Sequence, residues 1–167
     1  MTRAYLSLGS NLEPERHLRA AIEELRRRFG DVEVSPVYRF PAVGFEGPDF
    51  LNLAATLDTE LSAQALNDWL HALEDRHGRR RDVPRFSSRT LDVDIVLFGE
   101  QILKGAGNLE VPRKELLQTF VLQPLADIAA DVIEPISQRT LGDLWRSGAA
   151  AGAAGVLFPF DLPATSI

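Results

Sequence analysis

The sequence has no cysteine, and this absence excludes disulfide bonds and thiolate metal sites. It also has no run of the roughly 18 apolar residues that a membrane-spanning helix requires. Met1-Thr2-Arg3 leads directly into a short apolar segment and not into a long apolar block, so we expect no signal peptide. These absences predict a cytoplasmic protein without a membrane partner.

Two common patterns of catalytic or phosphate-binding residues are also missing from the sequence. The sequence has no Gly-x-x-x-x-Gly-Lys loop for binding phosphates, and no Ser/His/Asp arrangement is visible. The three histidines, His17, His71 and His77, do not follow metal-ligand spacing, and we interpret them as surface or helix-packing residues.

The charge of the chain is unevenly distributed. The net charge is −6, yet the segment from Arg76 to Arg89 holds six arginines and one acid, Asp82. A basic patch on an acidic protein favours a compact anionic ligand over a nucleic acid. A solvated loop rich in arginine is the alternative interpretation.

The hydrophobic pattern predicts one α+β domain. Alternating apolar residues indicate strands, and apolar residues three and four apart indicate helices that begin near Pro14 and after Ser62. The resulting order is βαββαβ, a ferredoxin-like core with an antiparallel sheet and both helices on one face. Short C-terminal helices follow. We place the domain at residues 1–146 and an Ala/Gly-rich tail at 147–167. The predicted strands are 4–8, 32–38, 51–57 and 92–98, and the short helices are 114–117, 120–128 and 141–146.

The segment Arg89-Thr-Leu-Asp92-Val-Asp94 holds the clearest chemical signal. Residues two apart on a strand point to the same face, so the Asp92 and Asp94 side chains lie about 7 Å apart. Two carboxylates this close repel each other unless a cation lies between them. Mg²⁺ binds such carboxylates together with substrate phosphates. A structural salt-bridge network with the nearby arginines is the alternative.

The arginines before this strand suit a phosphate ligand. Guanidinium groups bind phosphate oxygens through paired hydrogen bonds and stay charged. Arg79, Arg81, Arg85 and Arg89 could therefore surround a triphosphate. Gly78 and Pro84 suggest a loop that closes over substrate, with a solvated loop of no role as the alternative.

The motifs in this order resemble the hydroxymethyldihydropterin pyrophosphokinase family. The resemblance runs from Ala4 to about Trp145. The stretches that carry it are Tyr5-Leu-Ser-Leu-Gly-Ser-Asn11, Val37-Tyr-Arg39, Gly47-Pro-Asp-Phe-Leu-Asn52, Arg89-Thr-Leu-Asp-Val-Asp-Ile95 and Phe120-Val-Leu-Gln-Pro-Leu125.

The resemblance implies transfer of pyrophosphate from ATP to the 6-hydroxymethyl group of the reduced pterin, in folate biosynthesis, with release of AMP. It implies two magnesium ions, bound by Asp92 and Asp94. It places Phe50 and Phe120 on either side of the pterin ring, with Asn52 at its edge. The other implied pterin contacts are Phe40, Val43 and Phe86, and the implied ATP contacts are Glu74, Arg79, Arg81, Arg89, Arg113 and Lys114. Arg79 and Arg89, with the two aspartates, are the implied catalytic residues.

Three residues depart from the family pattern, in two places. Arg113-Lys114 stands where the family usually has a histidine, and Gln118 stands where it usually has an arginine. One alternative is therefore a divergent paralogue that binds pterin or nucleotide with little turnover. Another is an RNA-binding module, which Asp92 and Asp94 disfavour because acids repel a phosphate backbone. Nothing in the sequence requires more than a monomer.

Overall fold

The computed structural model describes residues 1–78 and 88–160. The element order confirms the βαββαβ core, with the second strand of that core split in two. The strands are β1 (Thr2–Ser10), β2 (Val32–Val34), β3 (Tyr38–Phe40), β4 (Phe50–Thr59), β5 (Asp92–Phe98), β6 (Leu103–Lys104), β7 (Glu110–Val111) and β8 (Val156–Leu157). The helices are α1 (Pro14–Phe29), α2 (Ala63–Arg76), α3 (Thr119–Ala129) and α4 (Leu141–Arg146), with a 3₁₀ helix at Lys114–Leu117.

The main sheet is antiparallel, in the order β5-β1-β4-β3-β8, and β2 also pairs with β4. The β1 and β4 strands lie in the centre and pair along their whole length, from Thr2 opposite Thr59 to Ser10 opposite Leu51. Strands β6 and β7 form a separate two-stranded sheet. The ends of β4 and β5 that begin at Phe50 and Asp92 therefore flank the same end of β1.

Each face of the sheet has its own apolar core. Helices α1 and α2 cover one face, where Leu18, Ile22 and Leu70 are fully buried. Helices α3 and α4 cover the opposite face, where Leu122 and Leu141 are fully buried. Burial of each such side chain contributes about 1.5–3 kcal/mol. The protein is thus a three-layer structure, and its second helical layer comes from the short helices after β7.

Two predicted boundaries differ from the structure. The single strand predicted from Val32 to Tyr38 is broken into β2 and β3, because Pro36 cannot donate to a strand ladder. The Ser35 hydroxyl accepts a hydrogen bond from the Ala54 amide at this break. Strand β1 also extends beyond the predicted residues 4–8, from Thr2 to Ser10. The helix that begins after Ser62 ends at Arg76, two residues before Gly78.

Residues 148–160, here called the C-terminal segment, pack against the body of the protein. Strand β8 pairs with β3, and Phe158 and Phe160 pack on the core beneath α1. The Thr119 hydroxyl donates a hydrogen bond to the Ala153 carbonyl at 2.7 Å. The Gly155 amide donates one to Gln123 Oε1 at 2.6 Å. The segment therefore joins β3 to the start of α3. None of the helices described is long and apolar enough to cross a bilayer.

Candidate active site

An acidic cluster lies where α2 packs on the edge strand β5. Glu74, Asp92 and Asp94 each offer a carboxylate oxygen, and these oxygens lie within 4.8 Å of one another. Glu74 is almost fully buried and accepts a hydrogen bond from the Val93 amide at 2.8 Å, which satisfies the outward N–H of β5. Oxygen ligands at this spacing suit Mg²⁺, a hard cation that prefers carboxylates and water.

Two residues from the segment around β7 contact the cluster at Asp94. The Arg113 guanidinium lies 3.2 Å from Asp94 Oδ1 through Nη2. The side-chain amide of Asn108 donates to the same oxygen at 3.2 Å. Asn108 is held in turn by His71, whose Nε2 lies 2.7 Å from Asn108 Oδ1. The carboxylate of Asp94 is therefore positioned by groups that are distant in sequence.

The other end of the site is apolar and carries one amide. Asn52 is buried on β4, and its Oδ1 has no hydrogen-bond partner among the residues described. Gly9 lies opposite Asn52 on β1, and a β-carbon there would come within 2.6 Å of Asn52 Nδ2. Glycine thus makes room for the amide. A buried amide oxygen without a partner costs free energy, so it favours a ligand that donates to it.

Four aromatic side chains line the same pocket as this amide. Phe40 and Phe120 meet edge to face with their ring centroids 6.5 Å apart. Phe50 meets Phe45 edge to face at 6.3 Å. The faces of such rings can stack on a flat heterocycle, and the nearby Asn52 amide can form a hydrogen bond with the edge of that heterocycle.

Asn11 joins the two chain segments that border the site. Its side-chain amide donates to the Pro48 carbonyl at 3.0 Å and to the Ser88 hydroxyl at 3.2 Å. Its Oδ1 accepts from the Arg89 amide at 2.8 Å. One side chain therefore holds the segment before β4 and the segment before β5.

A single cavity of about 640 Å³ connects the acidic and aromatic ends. Basic side chains line it next to the acids, and aromatic side chains line the other end. Its lining includes Ser7, Gly9, Phe40, Val43, Phe45, Phe50, Asn52, Arg89, Asp92, Asp94, Asn108, Arg113, Lys114, Glu115, Gln118 and Phe120. The volume suits a ligand of nucleotide or pterin size.

The sequence model of the 7,8-dihydro-6-hydroxymethylpterin-pyrophosphokinase (HPPK) family matches residues 5–130. The chain belongs to this family. The family predicted from the motifs is confirmed, and the HPPK match covers the acidic cluster and the aromatic residues alike.

Relatives with HPPK names are similar over most of the chain. The 2-amino-4-hydroxy-6-hydroxymethyldihydropteridine pyrophosphokinase of Pseudomonas aeruginosa is 44% identical over 138 residues, which cover 80% of this chain and 84% of that protein. The protein of the same name from Haemophilus influenzae is 37% identical over 143 residues, 83% of this chain and 88% of that protein.

The fold is also similar to a solved structure. The crystal structure of Plasmodium falciparum HPPK-DHPS superposes with a TM-score of 0.68 at 12% identity. The match covers 87% of this chain and 44% of that longer chain. At this identity the likeness bears on the fold alone, and it agrees with the predicted α+β class.

Most of the predicted HPPK site residues that the structure describes line the cavity. They are Phe40, Val43, Phe50, Asn52, Arg89, Asp92, Asp94, Arg113, Lys114 and Phe120. Glu74 lies beside Asp92 and Asp94 in the acidic cluster, and its contact with ATP stays a prediction. Arg79, Arg81, Arg85 and Phe86 lie outside the described residues.

Sequence reasoning missed Gly9, Asn11 and Asn108 as individual site residues. Gly9 and Asn11 stand inside the matched motif around the end of β1, so the motif was the signal for them. Asn108 has no such signal, because its contact with Asp94 spans fourteen positions and depends on the path of β6 and β7.

Two of the three histidines interpreted as surface or helix-packing residues, His17 and His77, contact each other. His17 on α1 is buried, and its Nδ1 lies 2.8 Å from Nδ1 of His77. His77 Nε2 lies 2.9 Å from Glu24 Oε2. Burial lowers the pKa of His17, and the neighbouring His77 and Arg16 lower it further against a smaller opposing effect of Glu13. Burial alone would raise the pKa of Glu24, but hydrogen bonds from His77 and Arg76 lower it overall.

Proposed function

We propose that this chain transfers the pyrophosphoryl group of ATP to 6-hydroxymethyl-7,8-dihydropterin, giving AMP and the pterin diphosphate in folate biosynthesis. The observation that carries the proposal is one cavity with an acidic cluster and basic groups at one end and a partner-less amide among aromatic rings at the other. The end with acidic and basic groups suits the phosphates of ATP, and the aromatic end with its amide suits the flat pterin ring.

In this reaction the pterin hydroxyl oxygen bonds to the β-phosphorus of ATP. The bond between that phosphorus and the oxygen bridging to the α-phosphate breaks, AMP leaves with the bridging oxygen, and the hydroxyl proton is lost. Magnesium, when bound, neutralises charge that develops on the transferred group. Asp92 and Asp94 would hold two Mg²⁺ ions, and Glu74 supports the same cluster.

The cations of the cavity would bind the nucleotide. Arg89, Arg113 and Lys114 line the acidic end, where guanidinium and ammonium groups can contact phosphate oxygens. Arg113 and Lys114 supply positive charge where the family usually has histidine. Arg79 and Arg81 join this set by resemblance, as Phe86 joins the pterin set.

Phe50 and Phe120 would bind the pterin ring between them, and Asn52 Oδ1 would accept a hydrogen bond from its edge. Phe40 and Val43 would complete this end of the cavity. Since Gly9 and Asn52 are paired on the central strands β1 and β4, the amide is held in a fixed position before the substrate arrives.

The setting we propose is a cytoplasmic monomer that acts on small molecules and binds no nucleic acid. The net charge of −6 and the acids in the cavity would repel a phosphate backbone. Residues 1–146 would form the catalytic domain and residues 147–167 an Ala/Gly-rich extension, of which the C-terminal segment packs on the domain.

The test is AMP release from ATP and Mg²⁺, with and without hydroxymethyldihydropterin. Wild type should release AMP only with the pterin, and Asp92→Asn should lose about a thousandfold or more in rate, because one ligand of the acidic cluster is removed. Asp131→Asn, at an exposed position outside the cavity, should keep wild-type activity. Folded protein that binds both substrates without releasing AMP would contradict the proposal.

A further inference from the structure

The Arg113 side chain is enclosed by acceptors at the acidic end of the cavity. Its Nη2 lies 3.2 Å from Asp94 Oδ1, and its Nε lies 3.5 Å from Glu115 Oε2. Its Nη1 donates to the Asn108 carbonyl at 3.3 Å. The side chain is only 12% exposed. Two ion pairs and one hydrogen bond to a carbonyl therefore hold the guanidinium inside the site, while its Nε has no hydrogen-bond partner among the described residues.

A backbone hydrogen bond holds the main chain of Arg113 in place. The Arg113 amide donates to the Val96 carbonyl on β5 at 3.0 Å, so the backbone of Arg113 stays beside the strand that carries Asp94. The long side chain can change rotamer from this fixed base.

The Asp94 carboxylate can therefore interact with two different cations, a divalent metal ion and the Arg113 guanidinium. It belongs to the acidic cluster with Glu74 and Asp92, and it is also the partner of the guanidinium. A divalent ion at the cluster and a guanidinium at the same carboxylate repel each other, and partial burial weakens the screening by water and salt. Binding of either cation at Asp94 therefore weakens the binding of the other.

We propose that Arg113 competes with the divalent metal for Asp94, so that the metal binds tightly only when nucleotide phosphates draw the guanidinium away. This inference rests on the proposed function, because it takes the acidic cluster as the metal site. Phosphate oxygens accept paired hydrogen bonds from a guanidinium, and Arg113 lines the cavity where they would lie. Metal and nucleotide then each increase the affinity of the other by the same factor.

The experiment measures Mn²⁺ binding to the full chain without nucleotide, from the electron paramagnetic resonance signal of free Mn²⁺. Arg113→Gln keeps hydrogen-bonding capacity and removes the charge. We expect it to bind Mn²⁺ about tenfold more tightly than wild type, because a unit charge next to the cluster is gone. Arg139→Gln is the matched control, since it removes the partner of Asp143 outside the cavity and should leave Mn²⁺ affinity unchanged.

A second titration repeats the measurement with a non-hydrolysable ATP analogue. The analogue should tighten Mn²⁺ binding more in wild type than in Arg113→Gln, because only wild type has a guanidinium to withdraw. Thermal unfolding of each variant checks that it is folded.

Equal or weaker Mn²⁺ binding by folded Arg113→Gln than by the control would overturn the inference, since Arg113 would then only position Asp94. Asp94→Asn separates this failure from failure of the proposed function. If Asp94→Asn lowers Mn²⁺ affinity while Arg113→Gln changes nothing, the metal site stands and the competition is wrong. If Asp94→Asn binds Mn²⁺ like wild type, or if wild type binds none, the assignment of the acidic cluster as the metal site is wrong. Competition between Arg113 and the metal is then excluded as well.

Discussion

At the scale of the residue, the buried amide of Asn52 is the group most open to a direct test. Its Oδ1 lacks a partner within the described chain, and a leucine of similar size would remove the acceptor and keep the volume. We expect Asn52→Leu to raise KM for the pterin roughly 10- to 100-fold, or about 1.4–3 kcal/mol, with KM for ATP within about threefold.

Steady-state kinetics with each substrate varied in turn would measure this difference. Gln101→Leu provides the control, since it removes an amide from an exposed position outside the cavity. A loss confined to ATP would place the amide in the nucleotide site and contradict its assignment to the pterin.

Single residues also show where sequence reasoning succeeds and where it stops. Asp92 and Asp94 could be predicted as a pair because the two-residue period of a strand is a local property. The contact of Asp94 with Arg113 could not be predicted, because it depends on how the chain returns through β6 and β7 to lie beside β5. Residue type gives the chemistry of a group, and long-range packing selects its partner.

At the scale of the element, the C-terminal segment contacts the wall of the aromatic end. A β-carbon added at Gly155 would lie within 2.8 Å of three atoms of the Phe40 ring. Gly155→Val should push this ring, raise KM for the pterin about tenfold and lower the free energy of unfolding by roughly 1–3 kcal/mol. KM for ATP should change little.

Kinetics and denaturant unfolding would check these values together. Ala154→Val is the matched control, because the neighbouring side chain is exposed and has room for two more carbons. If Gly155→Val lowered stability and left KM for the pterin unchanged, the C-terminal segment would stabilise the fold without determining the shape of the aromatic end of the cavity.

Element boundaries were predictable where the local signal was strong. Pro14 predicted the start of α1 correctly, since Pro suits the first turn, and the helix ends before Gly30, whose φ is 83°. The break between β2 and β3 depends on the Ser35–Ala54 hydrogen bond as well as on Pro36, so the sequence indicated an irregularity and not its form. The placement of α3 and α4 on the second face had no local signal.

At the scale of the whole molecule, the hydrogen-bonded chain His17–His77–Glu24 links α1 to the end of α2 and makes stability depend on pH. Both His17 and Glu24 have a folded pKa below the unfolded value, so the unfolded chain binds more protons and stability falls as the pH falls. The His17 contribution is present above about pH 6.5 and is lost as the pH falls toward its lower folded pKa. Glu24 adds to the loss only in more acidic solution.

Thermal unfolding at pH 8 and pH 5.5 would test this dependence. Wild type should lose several degrees more than His17→Gln between the two values, because glutamine takes up no proton. His71→Gln, at a histidine outside this chain of hydrogen bonds, should lose as much as wild type. Equal losses for wild type and His17→Gln would exclude the pair as the source.

The position of Asn11 has a consequence for inhibitor resistance. The Asn11 side chain holds both Pro48 and the backbone of Arg89. On the proposed function, a mutation that shifts the segment before β4 to exclude a pterin-like drug would therefore also disturb Arg89 at the acidic end of the cavity. Escape from such a drug would therefore tend to reduce the use of ATP. Resistance mutations that preserve growth should be found away from this hydrogen-bonded junction, on the exposed wall of the cavity around Val43.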